Sequence, residues 1–288
     1  MKRKIQEVFL TVPSFVWLLL FFLGPAFLIF FLAFRPPDPY GGIGPGWSTA
    51  SIASLARPGY LAIAWRTAWI SAVTTGACLA LALPAGYAVA RAAPKRRNLL
   101  LMMVIVPFWT NFLIRVFAWK SLLHPEGPVK KVLVLLGLVD PQATLLYNPA
   151  AVILVMTYTF LPFAILPVYA AAEKFDFRLV EAARDLGARP FQAFRRVFLP
   201  GIRHGVVTAV LIVLIPALGS YVVPDLVGGP SSEMLGNKIA QRVFVDRNLP
   251  HASALSVVLV LAVLAPLVAV LLLQRKKERP DIFLDEGS

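Results

Sequence analysis

Six apolar stretches, each about the length that crosses a lipid bilayer, dominate this 288-residue chain. A helix rises about 1.5 Å per residue, so roughly 20 apolar residues cover the ~30 Å of hydrocarbon. The stretches run through residues 8–34, 67–90, 99–123, 149–172, 202–223 and 252–273. With 58% hydrophobic and 15% charged residues, a water-soluble globule would keep far more apolar surface than it could bury. The expected fold class is therefore an all-α membrane protein of six transmembrane helices, organised as a single transmembrane domain over residues 1–288. The first stretch follows Met1-Lys2-Arg3-Lys4 and exceeds the about 7–15 residues of a signal-peptide core, so it reads as an uncleaved anchor.

The net charge of +13 would suggest nucleic acid in a soluble protein, but here the basic residues sit between apolar runs. Eighteen Lys and Arg fall on one side of the expected membrane and eight on the other. The richer side includes Lys2–Lys4, Arg91 to Arg97, the segment between the fourth and fifth spans, and Arg275 to Arg279. Because basic residues near helix ends are retained in the cytoplasm, both termini are predicted cytoplasmic in a multi-pass membrane protein. This placement points to anionic lipid headgroups, and no nucleic-acid partner is expected. The single cysteine, Cys78, lies in an apolar run, and His124, His204 and His251 have no metal-ligand spacing, so no metal site is expected.

Proline occurs within several spans, at Pro84, Pro107, Pro162, Pro167, Pro216 and Pro266, where it removes a helix hydrogen bond and favours kinks. Small residues at four-residue spacing, Ala82, Gly86 and Ala90, then Gly201 and Gly205, permit close helix packing. Outside the membrane, the Pro- and Gly-rich segment from Pro36 to Pro58 reads as an external loop without strong secondary structure. In the loop 124–148, the run Val129 to Leu136 reads as a short interfacial helix stopped by Gly137.

The segment 173–200 between the fourth and fifth spans is charged and patterned as two short helices. Asp176 can cap a helix running to Leu186, Gly187 stops it, and Pro190 suits the first turn of a second helix. That second helix carries Phe191, Phe194, Val197 and Phe198 beside Arg195 and Arg196, an apolar ridge flanked by charge that reads as a docking element. Its sequence contains Glu181-Ala182-Ala183, then Gly187 after three residues, then Val197-Phe198-Leu199-Pro200 after nine more.

This pattern resembles the EAA motif of the permease subunits of ATP-binding cassette (ABC) importers, departing from it only in Val197, where isoleucine is usual. The resemblance implies the type I ABC importer permease fold, with 173–200 as the coupling loop that sits in a groove of an ATPase subunit. Glu181, Ala182, Ala183, Gly187, Val197, Leu199 and Pro200 would carry the coupling, with Glu181 and Ala182 docking and Gly187 making the turn. No G-x-x-x-x-G-K-[ST] phosphate loop occurs in the chain. ATP and Mg are therefore expected on a partner ATPase in two copies, with no cofactor on this chain, no catalytic residues and no enzymatic activity. The other partners implied are a second homologous permease, a periplasmic solute-binding protein and membrane lipid.

Two further stretches look like those of spermidine/putrescine (polyamine) permeases: Pro107-Phe108-Trp109-Thr110-Asn111-Phe112-Leu113-Ile114-Arg115 through Trp119, and Pro224-Asp225-Leu226-Val227-Gly228-Gly229-Pro230 followed by Leu235-Gly236-Asn237. Importers of thiamine, iron or phosphonates share much of this pattern, which leaves the solute open among them. For a polyamine, Asp225 offers an attracting charge, and Trp109, Trp119, Tyr158 and Tyr221 offer cation–π faces. With Asn111 and Arg115 these residues form the expected solute path, although Arg115 would repel a cation unless it is paired. An ion-coupled secondary transporter is the alternative class, but no internal repeat supports it. A membrane enzyme would need more than the Glu181 and Asp185 carboxylates, which lie on one helix face with no histidine nearby.

Overall fold

The computed structural model describes residues 11–277. Lys2, Arg3 and Lys4, the start of the first stretch at residues 8–10, and Arg279 lie outside the described residues. Nearly all regular structure among those described is helical, and they divide into two compact units, 11–64 with 235–262 and 65–234 with 263–277.

In the first unit, α1 (Thr11–Leu32) is an apolar helix with a π-helical turn at Leu19–Leu23. Phe15, Trp17, Phe22 and Phe27 are exposed on it, a surface suited to lipid or another apolar helix. The Pro- and Gly-rich segment after α1 is more ordered than its composition suggests, with a bridge between Pro37 and Ile43 and a short helix α2 (Ala50–Ser54). Gly42 N donates to Arg247 O at 2.8 Å, tying this loop to the turn before the last long helix. Arg242 reaches Asp246 Oδ2 at 2.6 Å and the Tyr60 hydroxyl at 2.7 Å. Burial works against its charge, but those two partners outweigh it and hold its pKa above the ordinary value.

The expected six spans correspond to four unbroken helices and two bent pairs, six crossings if each pair is one span. Beyond α1, the unbroken helices are α3 (Pro58–Arg91), α7 (Pro149–Glu173) and α13 (Leu249–Lys277, apolar through Val270). The second span therefore starts nine residues before the expected Thr67, because Pro58 suits a first helical turn and nothing between them breaks the helix. Pro84, Pro162, Pro167, Pro216 and Pro266 all lie inside continuous helices.

The third span, expected to be continuous over 99–123, is broken. It consists of α4 (Pro94–Ile105), a 3₁₀ turn at Val106–Trp109, and α5 (Phe112–Leu123), with a 92° bend between Pro94–Trp109 and Phe112–Leu135. Thr110 is extended and its hydroxyl donates to Pro107 O at 2.6 Å, while Asn111 caps α5 by accepting from Leu113 N at 2.8 Å. Pro107 removes one helical donor and Asn111 supplies a new start. Next, α6 (Pro128–Leu135) is stopped by Gly137 at φ +67°, as the sequence predicts.

The loop after α7 forms α8 (Arg178–Asp185) and α9 (Pro190–Gly201), and the latter meets α10 (Arg203–Leu218) at 77°. The fifth span thus ends at Leu218, short of the expected Val223. Gly219 caps it, and Val222–Val227 forms a separate short helix, α11. In the first unit, α12 (Leu235–Phe244) precedes α13.

The second unit is held by small residues. Ala82 and Ala90 of α3, Ala164, Val168 and Ala172 of α7, and Ala209 and Val213 of α10 form one buried cluster. Between apolar helices in lipid, close van der Waals approach replaces hydrophobic transfer as the main attraction. A Cβ at Gly86 would lie 2.7 Å from Val168 Cγ1, and one at Gly205 would lie 2.3 Å from Ala171 Cβ. The small-residue spacing is therefore used within this chain.

Candidate functional site

The candidate coupling segment, residues 173–200, is built from local chemistry. Asp176 Oδ1 accepts from Arg178 N at 3.0 Å, so its carboxylate serves the helix start, although α8 begins two residues later and ends at Asp185. At the other end, Gly187 adopts φ +88°, Gly187 N donates to Arg184 O, and Ala188 N donates to Ala183 O. These bonds form a Schellman stop, which favours glycine at the left-handed position. A Cβ at Gly187 would meet nothing within 4 Å, so the demand there is conformational.

α9 begins at Pro190, where Arg189 N donates to Gln192 Oε1 at 3.0 Å. Its Phe194–Phe198 turn is π-helical, with Leu199 N donating to Phe194 O. Pro200 has no N–H to continue the α-helical ladder at that point.

The apolar ridge expected along this helix is divided. Phe198 is fully buried and Phe194 and Val197 are half-buried. Phe177, Phe194 and Phe198 surround the Tyr87 ring of α3 at 4.9–5.6 Å between centroids, and Phe175 packs on Phe198 at 5.3 Å. Only Phe191, at 71% exposure, points outward. The ridge turns inward because Phe194 and Phe198 lie one turn apart on the face toward α3.

A different set faces solvent. Leu179 and Leu186, 54% and 90% exposed, join Phe191 and the exposed Ala182. Leu179, Ala182 and Leu186 recur at three and four residues, a second apolar stripe along α8 and its C-cap that periodicity could have revealed. Of the motif residues, Glu181 and Gly187 are also exposed, Ala183, Val197 and Leu199 are half-buried, and Pro200 is exposed. Glu181 Oε1 lies 3.5 Å from Arg91 Nη2 at the end of α3, a partner ninety positions away that no local motif indicates.

The candidate solute path is gathered only in part. Phe108, Trp119 and Tyr158 form an aromatic group, with Phe108 6.5 Å from Tyr158 and Trp119 5.3 Å from Tyr158 between centroids. The Arg115 guanidinium sits 4.3 Å from the Phe108 ring centroid, while its Nε and Nη1 are buried without a hydrogen-bond partner. Trp109 is 78% exposed and Asn111 caps the helix break. Tyr221 and Asp225 lie at exposed positions around the first turn of α11. The glycines after α11 have a packing role: Cβ atoms at Gly228 and Gly229 would lie 2.4 Å from Pro224 O and Tyr147 O respectively. Arg66 Nη1 donates to Pro230 O at 2.7 Å in the same segment.

Long apolar helices, a broken span and a solvent-facing helical hairpin define an integral membrane protein with one exposed surface fit for docking. Residues 82–278 match the family described as binding-protein-dependent transport system inner membrane component, and the chain belongs to that family, the permease subunits of ABC importers. It is 37% identical to the spermidine/putrescine transport system permease protein PotB of Haemophilus influenzae, across 88% of this chain and 89% of that one. It is also 34% identical to PotC of Escherichia coli, across 41% of this chain and 45% of the relative. A bacterial ABC transporter involved in import of the acidic polysaccharide alginate has the same fold, with TM-score 0.72 and 18% identity over 96% of this chain and 98% of that chain. The protein is thus a multi-pass inner-membrane transport subunit.

Proposed function

We propose that this chain, acting as one permease domain over residues 1–288, forms with a second, homologous permease the path by which a polyamine of the spermidine/putrescine type enters the cell. The α8–α9 hairpin carries the reading. Its exposed Leu179, Ala182, Leu186 and Phe191 suit a groove on an ATPase subunit, and its inward Phe194 and Phe198 fix it to α3. Two ATPase copies hold ATP and Mg, both termini of this chain are cytoplasmic, and a periplasmic binding protein delivers solute to the outer mouth. Closure of the ATPases moves the hairpin, and the helices open alternately to the two sides.

The 37% identity to a spermidine/putrescine permease supports the solute class. The Arg115 guanidinium covers one face of the Phe108 ring, so that face is already taken and the neighbouring rings carry the physical support. Trp119 and Tyr158 beside it offer further faces for an alkylammonium, and Trp109, Asn111, Tyr221 and Asp225 complete the proposed path. The test is uptake into proteoliposomes holding this chain, its permease and ATPase partners and the binding protein. ATP-dependent uptake of labelled spermidine or putrescine is expected. Preferential uptake of thiamine, iron or a phosphonate would overturn the solute assignment, and uptake driven by an ion gradient without the ATPase would overturn the importer reading.

A further inference from the structure

Arg91 is the last residue of α3, where the negative end of the helix dipole favours a cation. Its guanidinium lies 5.7 Å from both the Tyr87 and the Phe177 ring centroids, and its Nη1 donates to the Tyr87 hydroxyl at 3.0 Å. Its Nη2 faces Glu181 Oε1 at 3.5 Å. One side chain therefore touches the end of α3, the approach to α8 at Phe177, and the motif glutamate on α8. The Tyr87 ring contacts Phe194 and Phe198 of α9 from the same turn of α3. Both members of the ion pair remain partly exposed, at 40% and 57% of their side chains, so the contact can adjust as α8 moves.

We propose that Arg91 is the positioning residue that receives displacement of the hairpin and transmits it to α3, by holding Glu181 in register with the end of that helix. The inference rests on the coupling role of the hairpin and adds the route by which its motion enters the membrane. Aromatic packing through Tyr87 carries compression, while the Arg91–Glu181 pair resists sliding of α8 along α3. Without the charge the hairpin still docks, but its movement is transmitted less completely.

The experiment measures polyamine transported per ATP hydrolysed by the reconstituted importer, together with ATPase recovery on purification. Arg91→Gln keeps a polar stem beside Tyr87 but removes the charge. It is expected to lower the ratio by about two- to fivefold, the scale of a partly exposed ion pair, with ATPase subunits still co-purifying. Arg91→Lys, which keeps the charge, is expected within about twofold of wild type on the same scale. In a double-mutant cycle, Arg91→Gln should add nothing to Glu181→Gln. A wild-type ratio for Arg91→Gln, or independent multiplication of the two effects, would overturn the transmission role while leaving the coupling loop intact. Failure of any ATPase to co-purify with the wild-type chain would instead overturn the coupling reading beneath it.

Discussion

Gly187→Asp is expected to lower stimulation of ATP hydrolysis by loaded binding protein by about five- to thirtyfold while leaving membrane insertion intact. The residue sits at φ +88°, where an L side chain costs roughly 1–2 kcal/mol, about a five- to thirtyfold loss in the population of that local geometry. A Cβ there meets no neighbouring atom within 4 Å, so the fold has no steric reason to fail. The strain instead falls on the Schellman bonds that set α9 relative to α8, and the added carboxylate stands beside the exposed Leu186. Gly187→Asn separates the two effects, because asparagine tolerates the left-handed region better and carries no charge. The expected order of stimulated activity is wild type, then Asn, then Asp. Equal activity of wild type and Asp in an assembled complex would remove Gly187 from coupling.

Gly205→Val acts on the scaffold. A Cβ at this position of α10 would lie 2.3 Å from Ala171 Cβ and 2.8 Å from Pro167 O, and the second neighbour is backbone that cannot rotate away. Separating α7 from α10 would open the small-residue cluster on which the second unit depends. Overpacking of this kind costs about 1–3 kcal/mol, and more where backbone is struck. The variant is expected to show a markedly lower thermal transition in detergent or nanodiscs and poor recovery of folded protein. Ala171→Gly should restore part of the loss, since it removes the nearer neighbour and leaves Pro167 O. A thermal transition unchanged from wild type would mean that α7 and α10 do not pack as closely as described.

The membrane architecture was legible because lipid demands long apolar helices with satisfied backbones, a demand written in consecutive residues. The coupling loop was legible for a local reason, since Asp176, Gly187 and Pro190 each act within a few positions of themselves. The break in the third span is hidden in hydropathy, because 99–123 stays apolar enough to span although Thr110 and Asn111 interrupt it. Pro107 and Asn111 were its signals, a lost donor followed by a cap. The inward turn of Phe194 and Phe198 depended on Tyr87, and the pairing of Glu181 depended on Arg91, both on a helix about a hundred residues earlier. Likewise, Arg115 was read as opposing a cation, while its actual resting place on the Phe108 ring required the fold around the break.

Direct contact between the hairpin and the ATPase is best tested by cross-linking from Ala182. Cys78 is the chain's only cysteine and is buried, so Ala182→Cys in a Cys78→Ala background supplies a single accessible thiol. The purified importer, with cysteines placed across the ATPase surface, is treated with a short thiol cross-linker in the presence and absence of ATP. The expected result is a cross-link from residue 182 to the ATPase whose yield changes with ATP, and none from Tyr40→Cys, which is 97% exposed in the proposed external loop. An importer that responds to loaded binding protein yet never links through residue 182, while Tyr40→Cys does link, would contradict the account.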